Sequence, residues 1–470
     1  MTDNENPNRP PSTKLELATR PTRVRYTALA WLTCAAALAY LCRSVFGIAE
    51  SSIRAEFDVS KSEMGWVMGT FFLSYAFLQI PAGMLSQRFG ARLALSGFAF
   101  LWAVSAILIG VSPVFWLLFV AQIGMGLAQA GAFPAATQSI SKWMPLSQRS
   151  IACGILAAGM QVGAIVAVFL AGILITGGWS QFVIPLVNWT VPGVSIDPIS
   201  WRWIYVIFAI PSLIWVAGFF LRFRDDPQAH SRVNFSELEL IRADSPSQPT
   251  EAGPIPWAAA LKSKTLWLLC AQQFFRAAGY SFFVTWFPTY IQESNSDVTI
   301  EKSGLFLAII LSSLLVGSLF GGAIVDSVYR RTRSLRTSRS KVGAICLSLT
   351  GVLILGAFFV NSLPAAIALL ASAAFLSGLA GPCSYSTAID ISGRHVAPFF
   401  GMMNMWGNIG AGGLPILLGI LFDWLKKGGF DSNSFVLFLL AGIYFAGAVC
   451  WLFIDPSRKI SAESEEKPAL

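Results

Sequence analysis

The chain has 470 residues, of which 55% are hydrophobic and 12% charged. A water-soluble domain carries about 25% charged residues, so most of these side chains face lipid or one another, and a soluble fold is excluded. The formal net charge is +8, and the placement of the cations along the chain, more than their sum, decides what they do.

The chain opens with "MTDNENPNRPPSTKLELATRPTRVRYT", polar and proline-containing. It lacks the apolar core of a signal peptide, so residues 1–25 are expected to be a cytosolic tail. Sliding a ruler of about 20 apolar residues along the rest gives six spans near 28–50, 63–86, 91–111, 114–141, 149–176 and 201–222. A polar stretch over 224–262 follows, and then six more spans near 264–292, 302–326, 341–361, 363–390, 395–424 and 433–454. The expected architecture is all-α and polytopic, with twelve transmembrane helices. A first half over 26–223 and a second over 263–455 precede a cytosolic tail at 456–470.

Arginine and lysine in short loops set the orientation. Arg20, Arg23, Arg25, Arg88, Arg92, Lys142, Arg149 and the "RRTRSLRTSRSK" cluster fall on one side. Arg54, Lys61, Arg202, Lys302, Lys426 and Lys427 fall on the other. Both termini are therefore expected in the cytosol, the chain lying in the cytoplasmic (inner) membrane. The basic clusters read as topology signals beside anionic lipid, and nucleic acid is not an expected partner. The longer loop over 177–200 either folds over the outer mouth or lies at the interface with its tryptophans among the headgroups.

The seven cysteines lie in apolar runs without paired spacing and there are two histidines, so neither metal nor disulfide is indicated. No Gly-x-x-x-x-Gly-Lys-Ser/Thr loop for nucleotide phosphates occurs, and no cofactor is expected. The sparse His, Asp and Glu content also argues against a membrane-embedded enzyme.

The feature that asks for a function is Arg43, inside "WLTCAAALAYLCRSVFGIAE". A charge at membrane depth costs at least about 2.5–3.5 kcal/mol, and such residues face the bundle interior and pair or bind. Two roles fit: an ion pair with a neighbouring helix, or contact with an anionic substrate, which the planar guanidinium can grip bidentately. Glu50, Glu293, Asp326 and Asp390 all fall near span ends, which favours the substrate. Arg276, in "QQFFRAAGYSFF", either adds positive potential to a cavity or snorkels to the surface along its stem. Asn404 and Asn408 are four apart and share a helix face.

The halves echo each other at "GMLSQRFGAR" and "GAIVDSVYRR". These resemble the signature loop of the major facilitator superfamily: Gly83, Arg88, Gly90 and Arg92 match in the first copy, where Gln87 replaces the acid, and Gly322 and Asp326 match in the second. "FLSYAFLQIPAGMLSQRFGARLAL", "GLAQAGAFPAATQSISKWMP", "KSKTLWLLCAQQFFRAAGYSFFVTWFPTYIQE" and "AIDISGRHVAPFFGMMNMWGNIG" are similar to the anion:cation symporter branch. That branch includes bacterial sugar-acid permeases and the vesicular glutamate and sialic acid carriers. The resemblance implies a major facilitator fold and two six-helix halves rocking around a midplane site. The substrate it implies is a small organic anion: a hexuronate, aldonate, glucarate or similar carboxylate.

It also implies roles for residues. Arg43 stands at the arginine that contacts the substrate carboxylate. Tyr75 matches a tyrosine that contacts sugar-acid oxygens, Gln161 a fifth-span glutamine, and Ser384, Tyr385 and Ser386 the tenth-span segment lining the site. Beside these, Asn404 and Asn408 are expected substrate contacts. Tyr280 and Trp286 are the aromatics expected to stack on a sugar face or stopper the cavity, with lipid contact or helix packing as their alternative. Interhelical hydrogen bonding is the alternative for each polar member. Arg88, Arg92 and Asp326 are expected in the gate. The family's proton relay joins a first-span aspartate to a fourth-span glutamate. Here Cys42 and Gln129 stand at those positions, and Gln122 replaces a family arginine. Glutamine releases no proton, and a buried thiol titrates above about 8.5. Transport is therefore expected to be uncoupled, or coupled to a proton or other cation by another group. A membrane nutrient sensor and a facilitator of a neutral solute are the rival readings.

Overall fold

In a computed structural model of the chain, the described residues are 20–179, 182–184, 189–191, 193–243, 257–392, 396–427 and 432–460. Among them the first half runs α1 (Val24–Arg43), α2 (Val45–Phe57), α3 (Lys61–Phe89), α4 (Ala91–Val111), α5 (Phe115–Gln129), α6 (Ala132–Trp143), α7 (Leu146–Thr176) and α8 (Trp201–Arg222). Helices α9 (Phe235–Ala243) and α10 (Trp257–Lys262) belong to the central connection. The second half runs α11 (Lys264–Thr285), α12 (Phe287–Ser294), α13 (Ile300–Thr332), α14 (Val342–Phe358), α15 (Leu363–Ser392), α16 (Val396–Lys427) and α17 (Ser432–Phe453). Three rods are broken pairs: α1–α2 at Ser44, α5–α6, and α11–α12 at Trp286. Counting these as single rods gives the twelve expected.

Ten helical rods among the described residues are long and apolar enough to cross a membrane. Of the remaining two rods, α11–α12 carries Gln272, Gln273 and Arg276, which lower its hydropathy. Helices with polar residues inside a bundle lose apparent hydropathy without losing their place in it. Several helices overrun their expected ends: the first rod continues to Phe57 and α13 to Thr332, because charged residues at a span's end stay helical beyond the hydrocarbon. The 177–200 loop forms two short antiparallel ribbons, Gly178–Trp179 with Val194–Ser195 and Phe182–Ile184 with Trp189–Val191. These pairings satisfy backbone groups that a plain connector leaves to water.

The halves meet mainly through α3 on α16, α7 on α13, and α2 on α11, α12 and α13. Glycine makes these seams, because a missing Cβ lets backbones touch. A Cβ on Gly65 would strike Pro415 and Gly419, one on Gly69 would strike Gly412, and one on Gly304 would strike Val168. Gly47 of α2 lies on the Val284 carbonyl of α11. That carbonyl lacks its usual helical donor because the residue four positions on is Pro288, which has no N–H.

All these contacts lie at one end of the bundle, where ion pairs reinforce them. Lys61 reaches Glu293 at 2.6 Å and Arg54 reaches it at 3.6 Å. Asp423 of α16 accepts the Ser62 backbone N–H at 2.8 Å. The opposite end carries the α1 start and the central connection, and there the halves diverge, leaving Met84, Leu85, Phe89, Tyr385 and Ile389 exposed. The molecule is sealed at one end and open at the end where α1 begins.

Candidate functional site

Arg43 ends α1, just before the break at Ser44. Two narrow cavities meet at its guanidinium. One, of about 370 Å³ including space open to solvent, runs between Ala36, Tyr40, Tyr75, Gln129 and Phe133 within the first half. The other, about 390 Å³ on the same measure, runs toward α11 past Phe72, Gln122, Tyr280 and Thr285. The alanines of "CAAALAY" supply the room, since small side chains on the inner face of α1 leave the helix surface bare. Arg43 is partly exposed, into this space.

Three aromatic rings surround the guanidinium, with Tyr40, Phe71 and Phe72 centroids 4.2, 4.8 and 5.5 Å from its carbon. Ring faces attract a cation without neutralising it. Among the described residues Arg43 makes no ion pair, and no acid side chain lines either cavity. The charge is held in place and left available. Tyr75 and Tyr280 both lie within electrostatic reach of Arg43, and Tyr280 also within reach of Arg276. Arg276 and Tyr280 share a face of α11, and the Arg276 Nη1 comes within 3.9 Å of where a Cβ on Gly381 of α15 would stand. Arg276 is thus turned toward the interior of the second half, and its Nε donates to Gln273 at 3.3 Å.

Gln129 explains how a missing carboxylate is accommodated. Its Nε2 donates to the Ala39 carbonyl at 2.9 Å and lies 3.2 Å from the Met125 sulfur. A protonated glutamic acid could make the same bond; an ionised one would set a carboxylate against a carbonyl. Glutamine holds α5 to α1 permanently in the arrangement a neutral acid would make.

Several expected contacts lie elsewhere. Cys42 turns away from the cavity into the seam with α8, its sulfur 3.4 Å from the Phe208 carbonyl and 3.7 Å from Ser212 Oγ; neighbours on a helix point about 100° apart. It is fully buried there and cannot act beside Arg43. Trp286 is also fully buried, donating to the Pro415 carbonyl at 3.0 Å and packing on Phe422, so it closes the sealed end and does not line the site. Ser384 is buried and donates to Gln272 at 2.9 Å, tying α15 to α11. Tyr385 is exposed at the open end with its ring on Phe400. Gln161 lies outside both cavities, with a buried, unpartnered Oε1. Asn408 spends its amide on the Asn404 carbonyl of its own helix at 2.9 Å, while Ser386 and Asn404 are partly buried.

Sequence reasoning passed over Tyr40, Ser44, Thr285 and Gln79. Tyr40 precedes Arg43 by three residues, on its face of the helix, which is a readable signal. The buried, unpartnered Gln79 Oε1 falls four residues after Tyr75, and nothing but packing reveals it.

At the gate end, the acid missing from the first signature loop has a substitute. Asp225, just past α8, accepts the Arg92 backbone N–H at 2.9 Å and so caps α4. It crowds Gly90, where a Cβ would meet its Oδ2 at 2.6 Å and where φ is +79°, a combination only glycine tolerates. The Arg92 side chain donates to the Phe220 carbonyl at 2.7 Å. Arg88 and Asp326 are exposed. In the second half Arg339 pairs with Asp390 at 3.2 Å. The side chains of Gln87 and Arg149, and His395, lie outside the described residues. Among the described residues no group of three or more His, Cys, Asp or Glu is placed to hold a metal.

Several known proteins similar to this chain are named as transporters. The chain is 26% identical to a probable sulfoacetate transporter of Cupriavidus necator, over 91% of this chain and 93% of that one. It is 26% identical to a D-galactonate transporter of Escherichia coli, covering 86% and 90%, and 26% identical to a hexuronate transporter of Bacillus subtilis, covering 91% and 94%. Among solved structures, a bacterial homologue of the human lysosomal transporter Spinster, inward-facing and unoccupied, superposes with a TM-score of 0.69 at 18% identity over 93% of this chain and 95% of that one. Residues 32–338 match the profile of the Major Facilitator Superfamily, and this multi-pass membrane protein belongs to that family.

Proposed function

We propose that the protein carries a small organic anion across the cytoplasmic membrane by alternating access, with the acidic group of the anion seated on Arg43. The observation that carries this reading is the guanidinium itself: fixed among three rings, facing two cavities, and without a counter-charge among the described residues. A cation left unpaired in a membrane protein is costly, and an anionic guest removes that cost. Relatives are named for sulfoacetate, D-galactonate and hexuronate. They share one feature, an acidic group on a small polar skeleton, and sugar acids or similar carboxylates are the class expected here. Tyr75 and Tyr280, which line the two cavities, are the contacts for the skeleton. Arg276 gives a second acidic group, where the substrate has one, a second positive partner. By the bias of the loop cations we read the open end as cytosolic and this arrangement as inward-open.

The test is counterflow in proteoliposomes with labelled D-galactonate, D-glucuronate and sulfoacetate. At least one exchanges, and excess unlabelled galactose does not compete. Competition by the neutral sugar at equal concentration would sink the reading.

A further inference from the structure

The expected relay positions hold Cys42 and Gln129, and neither can shuttle a proton beside Arg43. One acid in the bundle is nevertheless fully buried. Glu50 of α2 has no exposure to solvent, and the only other buried carboxylate among the described residues is Glu237, in the central connection. Arg43, Gly47, Glu50 and Arg54 recur at helical spacing, so the first rod presents them on one face, the face that meets the second half. About 10 Å of helix, at 1.5 Å per residue, separates Glu50 from Arg43.

Glu50 sits in a network that can serve either of its protonation states. Arg54 Nε donates to its Oε1 at 2.9 Å, and the Thr289 hydroxyl of α12 reaches its Oε2 across the halves. Arg54 already extends its Nη2 toward Glu293, 3.6 Å away, and Lys61 holds Glu293 at 2.6 Å. When Glu50 is neutral, Arg54 keeps Glu293 as partner and Thr289 accepts from the carboxylic acid, so no charge is stranded. The charged groups that face Glu50 are Arg54 on its own helix, Lys61 from α3 and, through Arg54, Glu293 from α12. The other helices packed on α2, which are α1, α7, α8, α11 and α13, add none in contact among the described residues, Arg43 at the end of α1 standing about 10 Å away. Thr285, at the end of α11, lines the Arg43 cavity, and Thr289, just past the break at Trp286, reaches the acid.

We propose that Glu50 carries the proton that is co-transported with the anion. This rests on the anion-transport reading. Opening the sealed end separates Gly47 from Val284, Thr289 from Glu50, and Arg54 and Lys61 from Glu293, which brings Glu50 to water. Its carboxylate takes a proton from hydronium there, leaving water and a neutral acid, and closure buries that acid. An anion on Arg43 favours the neutral acid electrostatically, and the neutral acid favours the anion. When the anion leaves into the open cavity, the acid releases its proton to cavity water and Arg54 recovers the carboxylate.

Two measurements on the full chain test this. In lightly buffered detergent solution with a pH dye, adding D-galactonate or sulfoacetate to the parent takes up about one proton per anion bound. Glu50→Gln takes up none while still binding the anion. In proteoliposomes, an inwardly directed proton gradient drives accumulation by the parent, and Glu50→Gln accumulates no more than without a gradient. Should Glu50→Gln fail to fold, infrared difference spectra decide: anion binding to the parent raises a carboxylic-acid carbonyl band, and Glu50→Asp shifts it. Proton uptake or gradient-driven accumulation surviving in Glu50→Gln overturns the proposal, as does a parent that shows neither, or an unshifted or absent band. Loss of anion binding in Arg43→Ala tests the transport reading separately.

Discussion

Removing Arg43 separates its two possible roles by sign as well as size. If it were half of a buried ion pair, Arg43→Ala would strand the partner and cost about 3–5 kcal/mol of stability. In the structure it has no such partner among the described residues, only ring faces at 4.2–5.5 Å. Those contacts are worth about 0.5–2 kcal/mol, offset by relief of a partly buried, unneutralised charge. The expected change in melting temperature is therefore small, and upward if relief wins. Binding behaves differently. Losing one partner of a desolvated, hydrogen-bonded charge pair costs about 2–5 kcal/mol, which at 1.4 kcal/mol per tenfold weakens affinity about 30- to 4,000-fold. Arg43→Lys keeps the charge and loses the fork; forfeiting one charge-assisted hydrogen bond, about 1.5–3 kcal/mol, weakens binding about 10- to 150-fold. Titration calorimetry in detergent reads affinity for whichever anion exchanges, and thermal unfolding of the unliganded protein reads stability. An Arg43→Ala protein that binds the anion as tightly as the parent, or that loses several kcal/mol of stability without ligand, refutes the argument.

Gly47→Ala places a methyl against the Val284 carbonyl and props open the sealed end; spin labels on Asp58 and Asp297 in a cysteine-free background should report a longer distance, and an unchanged distribution would contradict the assigned contact. Gln129→Glu can keep its bond to the Ala39 carbonyl only as the neutral acid. Its anion affinity should therefore acquire a pH dependence that the parent lacks at this position, checked by titration across pH 5 to 8 or so. Glu237 accepts from the backbone N–H groups of Val24 and Arg25 at 3.0 Å each and pairs with the Arg25 side chain at 3.3 Å, fully buried. Glu237→Ala should cost about 3–5 kcal/mol of stability, read by thermal unfolding; a loss under 1 kcal/mol or so would show that the central connection does not anchor α1. Gly90→Ala forces a side chain into a glycine-only conformation beside Asp225, and should destabilise by about 1–3 kcal/mol, with Asp225→Ala costing about 0.5–2 kcal/mol as a lost helix cap.

The sequence by itself determined the membrane-spanning class and the twelve rods in two halves, and it singled out Arg43 as a charge at membrane depth that asks for a partner. Each follows from local quantities: length of apolar runs, their repetition, and the cost of a charge at depth. It also made visible that Gln129 carries no exchangeable acid proton and that Cys42, as a thiol, is a poor shuttle at neutral pH, since these are properties of the side chains alone. The tertiary structure decided which way each polar residue points. Cys42 and Arg43 are adjacent in sequence, yet one enters the seam with α8 and the other the cavity. Trp286 and Ser384 resemble site residues by position, but neighbouring helices have claimed their polar atoms. Glu50 looked like an end-of-span acid, and only the approach of α11 on Gly47 and of α12 through Thr289 turned it into a buried one. A helix specifies its own faces; what each face meets depends on how the halves pack, and backbone contacts through glycine and proline carry no signature in a single chain of letters.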